Sequence, residues 1–291
     1  MIERLHTNGE LFITESGVRW TFAGHIDFLL YEKSLQGFVM EPLLDDRYRA
    51  GSRVVTTLMM AHYIHAHRGE PSFNPNDYGP VFFSHVKPFA RALAAKDMYW
   101  MPIIFADAQV LKPNVADQQR FVAQLAAEFA GEPNILPSLG NEVVKNGVDP
   151  SKFTKPEGTG CLWSRGSGLM DADCPRPGWD YVEYHPRRDW PKVIWGVNEG
   201  WYVKEGRGES GHVVDPPKPG IASEPIRFWS HDVPGRRSSS PELAHVIGHT
   251  CADYMRGGNF HSENGIRSEG WDPRTTECAY RFFQGLSEGV K

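Results

Sequence analysis

The feature that most constrains the fold is the alternation of short apolar runs with amphipathic segments. Runs of strand length at 53–60 and 98–105 flank a segment at 81–96 with helical spacing, and a second helical segment follows at 117–130. This alternation predicts strand–helix units in a parallel sheet. Further strands are predicted at 19–25, 134–142, 181–185, 221–224 and 259–261, and further helices at 189–203, 243–255 and 275–286.

These segments supply seven strands, and an eighth is expected near residues 160–170, within a stretch of weak periodicity. A chain of 291 residues accommodates one (β/α)8 barrel, which typically needs about 250. We therefore predict an α/β fold, a single TIM-type (β/α)8 barrel spanning 1–291 as one domain. The segments at 61–79, 143–179 and 204–218 are predicted to be long rim loops.

Composition narrows the function classes. The hydrophobic share of 40% is typical of a globular protein, and the net charge of −5 indicates no basic surface for nucleic acid. No run approaches the ~20 apolar residues of a membrane span, and the N-terminus lacks an apolar secretory signal. The expectation is a protein without nucleic-acid or membrane partners, cytoplasmic or released by a non-classical or viral route. Nothing in the sequence indicates the oligomeric state.

Two glutamates stand at the ends of predicted strands. Glu142 closes the run that begins at Asn134, and Glu224 closes the run that begins at Lys218. In α/β barrels, side chains at the C-terminal ends of strands line the active site. Two carboxyl groups facing each other there are the minimum equipment for cleaving a glycosidic bond. The pair therefore predicts a catalytic site for sugar chemistry.

The Asn141-Glu142 pair and the string Lys-Pro-Gly-Ile-Ala-Ser-Glu that ends at Glu224 resemble the clan A glycoside hydrolases, which are retaining (β/α)8-barrel enzymes. The resemblance spans about residues 19–286. It implies that Glu142 is the general acid/base and that Glu224 is the nucleophile. It also implies that Asn141 holds the sugar 2-hydroxyl and that no cofactor is needed. Other residues implied at the site are Tyr184, His185, Trp271, His25 and Asp107, with Trp271 as a stacking platform.

The chemistry sets requirements of its own. The general acid must be protonated at working pH, while the nucleophile must stay ionised, and a nearby carboxylate helps by raising the pKa of its neighbour. Retention of anomeric configuration requires the carboxyl groups to lie about 5–5.5 Å apart, whereas inversion needs roughly 6.5–9.5 Å.

The sequence departs from the family at the end of the second strand, where an arginine is expected. Arg53 stands at the start of that strand, and Arg227 is a possible substitute.

Aromatic and histidine side chains supply further candidates. Trp229 lies five residues beyond Glu224 and could stack on a sugar. His62 opens the string His-Tyr-Ile-His-Ala-His behind the second strand, where a rim histidine could touch substrate. Imidazole also suits zinc and related metals, so a metal-dependent barrel hydrolase is an alternative, although no metal ligand is assigned. A second alternative is a non-catalytic glycan-binding barrel in a virion or at a cell surface, since the family's arginine is missing.

Overall fold

The computed structural model describes residues 2–167, 178–184, 218–222, 225, 227–228, 240–254 and 256–289. Its centre is a seven-stranded parallel sheet in the spatial order β7-β6-β5-β4-β11-β9-β8. These strands are β4 (Phe22–Ile26), β5 (Val54–Leu58), β6 (Tyr99–Phe105), β7 (Ser138–Gly140), β8 (Val182–Tyr184), β9 (Gly220–Ala222) and β11 (Gly257–Ser262). Strand β10 (Arg227–Phe228) pairs with β11. The α/β class predicted from the alternation is confirmed.

Helices follow the strands, as the alternation requires. In the described part of the chain they are α1 (Leu30–Leu35), α2 (Glu41–Ala50), α3 (Tyr63–Ala66), α4 (Pro75–Tyr78), α5 (Pro80–Ser84), α6 (Val86–Ala94), α7 (Ala108–Leu111), α8 (Val115–Phe129), α9 (Pro241–Tyr254), α10 (Glu263–Ile266) and α11 (Pro273–Glu288). The single helix predicted at 81–96 is instead two, which meet at His85. The helix predicted at 189–203 lies outside the described residues. No described helix combines the length and the apolarity that a bilayer crossing demands.

The sheet is strongly curled. The hydroxyl of Thr56 on β5 donates to Asn259 Oδ1 on β11 at 3.0 Å, across the intervening strand β4. Only glycine fits beneath this bond, because a Cβ on Gly24 would lie 2.1 Å from Asn259 Oδ1. Side chains on two strands that flank a third can form a hydrogen bond like this one if the sheet bends toward the face that carries them.

A hydrophobic cluster fills the concave face near the N-terminal ends of the strands. Buried side chains from β4, β5, β6 and β9 meet here with Leu136 and Tyr181. The N-terminal segment contributes Leu5 and Phe12 from a hairpin of β1 (Leu5–Asn8) and β2 (Leu11–Thr14), which continues into β3 (Arg19–Trp20). This hairpin was not predicted from the sequence, and it covers the end of the sheet opposite the predicted site.

Ser164 continues the sheet beyond β7. Ser164 forms isolated parallel bridges with Ser138 on β7 and with Tyr181 next to β8. Leu139 N donates to Ser164 O at 2.9 Å, and Ser164 N donates to Pro137 O at 2.9 Å. A strand was expected at 160–170, and the structure places one strand-like residue there between the two edges of the curled sheet.

Candidate active site

Glu142 lies at the C-terminal end of β7, where the sequence placed it. Its backbone is in the left-handed region, with φ of 42°, a conformation that costs a non-glycine residue roughly 1–2 kcal/mol. Glu142 N donates to Ser167 Oγ at 3.0 Å, and Asn146 N donates to Glu142 O at 3.0 Å. Strained backbone of this kind persists only where the surroundings enforce it, and it concentrates at functional sites.

Asn141 is held beside Glu142 by the same elements. Ser167 Oγ donates to Asn141 Oδ1 at 3.0 Å, and Asn146 Nδ2 donates to Asn141 O at 2.6 Å. One serine hydroxyl therefore fixes both the amide of Asn141 and the backbone of Glu142. Ser167 was not among the predicted site residues, although it stands in a Gly-Ser-Gly string that marks a tight backbone approach.

The carboxylate of Glu142 is mostly buried and, among the described residues, pairs with one charged side chain. Its side chain is 11% exposed, and Lys145 Nζ lies 2.5 Å from Oε2. The Lys145 side chain is 57% exposed, so this ion pair reaches solvent. Ion pairs with an exposed partner contribute little stability and open readily, so Glu142 remains accessible to a ligand.

Asp107 follows β6, the neighbour of β7, and its carboxylate accepts two hydrogen bonds from backbone N–H groups. Asp107 Oδ2 accepts from His62 N at 2.7 Å and from Tyr63 N at 3.1 Å. The His62 ring is half-buried, with Nδ1 2.7 Å from Ser72 Oγ. The structure thus brings together two predicted site residues, Asp107 and His62, and shows that Asp107 anchors the loop after β5.

His25 and Trp271 lie together, but on the face of β4 that packs against helices. His25 is fully buried, with Nε2 2.8 Å from Asp27 Oδ2 and Nδ1 2.6 Å from Ser52 Oγ. The Trp271 ring stands edge-on to His25, and the Arg47 guanidinium covers one face of Trp271 at 3.7 Å. Arg47 was not predicted at all. The stacking role of Trp271 stays a prediction. Because Arg47 occupies one face of the ring, a sugar could stack only on the opposite face.

Charges in this outer cluster are matched internally. Arg47 on α2 donates from Nε and Nη2 to both oxygens of Asp27, each at 3.1 Å. Burial alone would raise the pKa of Asp27, but Arg47 and His25 outweigh it and lower that pKa. Burial lowers the pKa of His25, so the imidazole is neutral near pH 7. The cluster is a neutral His beside an ionised Asp–Arg pair.

A buried carboxyl group that sequence reasoning missed lies on β8. Glu183 is 1% exposed, and burial raises its pKa to about 7, against the opposing effect of the Ser138 and Ser164 hydroxyls. Ser138 lies on β7 four residues before Glu142, so Glu183 lies near the strand of the candidate acid. A glutamate in the middle of the strand predicted at 181–185 was the available signal.

The histidine string behind β5 is engaged in other contacts. His65 Nε2 lies 2.7 Å from Glu32 Oε2, and His65 Nδ1 lies 3.2 Å from Glu70 Oε2. Within the described ranges, no three His, Cys, Asp or Glu side chains are grouped so that they could hold a metal ion.

Four predicted site residues are not fully visible. Glu224, His185 and Trp229 lie outside the described residues, and Tyr184 is described only as backbone at the end of β8. Glu224 stands two residues beyond Ala222, the last residue of β9. Arg53, at the start of β5, donates to Tyr48 O and Ser52 O, far from the C-terminal rim.

Comparison with known proteins identifies the fold. Neither a family sequence model nor a curated protein matches the chain. Among solved structures, a β-glucanase from Saccharophagus degradans in complex with cellotetraose matches with a TM-score of 0.65 and 13% identity over 99% of this chain and 94% of that one. A family 5 mannosidase from Rhizomucor miehei matches with a TM-score of 0.65 and 10% identity, covering 99% and 98% of the two chains.

A family 5 glycoside hydrolase from Bacteroides vulgatus ATCC 8482 matches with a TM-score of 0.66 and 15% identity. The match covers 94% of this chain and 65% of that chain. At these identities the matches establish a shared fold. The resemblance to clan A glycoside hydrolases that the sequence predicted is confirmed at the level of the fold.

Proposed function

We propose that this chain is a retaining glycoside hydrolase that cleaves a β-linked poly- or oligosaccharide, with Glu142 as acid/base and Glu224 as nucleophile. The observation that carries the proposal is the backbone of Glu142, held in a left-handed conformation at the C-terminal end of β7 with Asn141 beside it. The position of Glu224 just beyond β9 and the fold shared with glucanases and mannosidases support it.

The proposal includes a complete (β/α)8 barrel. The bridges of Ser164 to Ser138 and Tyr181 support a short fifth strand between β7 and β8. With that strand the seven parallel strands become a ring of eight, and the chain is one domain. Ring closure would direct the C-terminal ends of β7 and β9 toward one opening, as double displacement by Glu142 and Glu224 requires.

In the proposed mechanism, Glu142 protonates the glycosidic oxygen while Glu224 attacks the anomeric carbon. Glu142 then removes a proton from a water molecule as the water oxygen bonds to the anomeric carbon, and the bond between that carbon and Glu224 breaks. Asn141, fixed by Ser167, would accept or donate a hydrogen bond at the 2-hydroxyl. Lys145 must move from Glu142 when substrate enters, and its exposure permits this.

The experiment compares Glu142→Gln and Glu224→Gln with the wild type on soluble β-glucan and β-mannan. Each variant should lose turnover by about 10²–10⁴-fold, because each lacks one ionisable partner of the reaction. The matched control is Glu157→Gln, at an exposed glutamate beside a cavity lined by Leu5 and Thr7 near the N-terminal hairpin. Full activity in either active-site variant would overturn the mechanism.

Substrates with different leaving groups separate the two roles. On a dinitrophenyl glycoside, whose leaving group needs no proton, Glu142→Ala should still release a rapid burst of dinitrophenol and then turn over slowly, because water lacks its general base in the second step. Glu224→Ala should show no burst. Proton NMR of the first product should show the β-anomer. An α-anomer would exclude retention.

A second candidate is a glycan-binding barrel without catalysis. The ion pair between Glu142 and Lys145 favours it, because a general acid must carry a proton rather than a salt bridge. Glycan binding in calorimetry, with no product after days and with Glu142→Gln unaffected, would support this candidate instead.

A further inference from the structure

Among the described residues, Tyr63 is the large aromatic side chain most exposed at the C-terminal rim. Three large aromatic residues of the described ranges are more than 40% exposed: Phe38, Tyr63 and Tyr280. Tyr280 lies on the outer helix α11, and Phe38 lies between α1 and α2. Tyr63, at 64%, begins α3 directly beyond β5, on the side of the sheet where Glu142 stands.

The Tyr63 backbone is anchored, and its ring packs against one neighbouring side chain. Its backbone N–H donates to Asp107 Oδ2, and the His67 ring lies 4.1 Å from its centroid at an interplanar angle of 84°. Because the two rings are perpendicular, His67 can cover at most one face of Tyr63, and the other face remains open to solvent. A fixed aromatic ring loses little side-chain entropy when a ligand binds.

Hydrogen bonds connect this ring to the candidate acid along the rim. Asp107 anchors Tyr63, and Gln109, two residues further on, donates from its N–H to Asn146 O at 3.1 Å. Asn146 in turn donates to Glu142 O. The loops that follow β5, β6 and β7 therefore form one continuous, hydrogen-bonded edge that carries Tyr63 at one end and Glu142 at the other.

We propose that Tyr63, braced by His67, is a stacking platform for a pyranose unit of a β-linked glycan, outside the sugar pair that is cleaved. This inference rests on the proposed function and names a subsite for it. The C–H bonds on one face of a pyranose pack against the negative face of an aromatic ring. Half-buried His62 beside Tyr63 offers a polar partner for the sugar hydroxyls.

The test measures the binding of β-1,4-linked glucose and mannose oligosaccharides, from biose to hexaose, by calorimetry in the non-hydrolysing Glu142→Gln background. Tyr63→Ala should weaken binding of the hexaose that the parent binds by about 5–10-fold, and binding of the biose should not change. Tyr63→Trp should retain hexaose binding, because the stacking face is preserved. Tyr280→Ala, equally aromatic and 57% exposed on α11, should bind like the parent.

Hexaose binding by Tyr63→Ala at the parent's affinity, or an equal loss in Tyr280→Ala, would overturn the platform. Failure of the proposed function is recognised separately. If Glu142→Gln still hydrolyses glycan while Tyr63→Ala weakens hexaose binding, the mechanism is wrong and the platform stands. If the parent binds none of the oligosaccharides, both proposals are contradicted.

Discussion

Two buried carboxylates, Asp27 and Glu142, are treated in opposite ways by this fold. Asp27 stands on the helix-facing side of the sheet, where both oxygens accept from Arg47 and one also contacts His25. Glu142 stands at the rim in a strained backbone conformation, and its charged partner among the described residues is the mostly exposed Lys145. A carboxylate matched on all sides contributes to stability, whereas one held by its backbone and left with a removable partner is available for chemistry.

The largest expected effect is on stability, from Arg47→Met. Removing the guanidinium leaves Asp27 buried without its countercharge, and the free energy of unfolding should fall by about 3–5 kcal/mol. Urea denaturation checks this against Arg49→Met, two residues along α2, where the Arg49 side chain is 74% exposed beside Asp46 and the loss should be at most about 1 kcal/mol. Similar losses in the two variants would remove the distinction between matched and open carboxylates.

Glu183 should make stability depend on pH. Its pKa is about 7 in the folded chain against 4.5 for the free side chain, so the folded state keeps the proton longer. The contribution of Glu183 to stability should therefore be largest below about pH 4.5, fall by about 3 kcal/mol between about pH 4.5 and pH 7, and not change further above that range.

Glu183→Gln is the matched variant, because it keeps the shape and cannot ionise. Urea unfolding of both proteins at pH 5 and pH 8 isolates the effect, since all other titrating groups are shared. The variant should gain stability relative to the wild type at pH 8. The same difference between the two proteins at both pH values would show that Glu183 does not titrate in this window.

Ser167→Ala should affect the site more than the fold. The substitution removes the hydroxyl that accepts from Glu142 N and donates to Asn141, at a cost in unfolding free energy of about 1–2 kcal/mol. We expect turnover to fall by about 10-fold, because both residues lose their fixed geometry. Ser151→Ala, which removes an exposed contact with Asp149, should change neither quantity. Unchanged turnover in Ser167→Ala would mean that Ser167 does not position the site.

The smallest expected effect is a gain in the free energy of unfolding. Glu142→Gly relieves the left-handed strain and should raise the free energy of unfolding by about 0.5–1 kcal/mol while abolishing activity. Asp97→Gly, at a second non-glycine residue with positive φ, should show a similar gain with activity intact. A loss of stability in Glu142→Gly would indicate that the Glu142 conformation is not strained.

The elements predicted best are those with long, unambiguous patterns. The helix expected at 117–130 is α8, Val115–Phe129, and the strand expected at 98–105 is β6, Tyr99–Phe105. The N-terminal hairpin was missed because its strands are only four residues long, too short for a clear periodic pattern. The strand near 160–170 was anticipated only by position, since Ser164 joins the sheet through single bridges rather than through an apolar run.

The sequence indicates where several candidate site residues stand, but not which residues hold them in place. Glu142, Asn141, Asp107 and His62 follow strands, so their grouping at one edge could be read from the sequence. The partners that hold them, Ser167 and Asn146, are distant or loop residues whose contacts depend on tertiary structure. Arg47 carried a local signal, because it falls four residues after Leu43 on the buried face of α2, but nothing local pairs it with Asp27.

The most direct test of the central claim is the distance between the carboxyl groups of Glu142 and Glu224 in a crystal structure of the whole chain. The account predicts about 5–5.5 Å, with both groups facing one opening at the C-terminal ends of β7 and β9. A separation beyond ~10 Å, or a Glu224 side chain directed away from that opening, would contradict the paired-carboxylate mechanism.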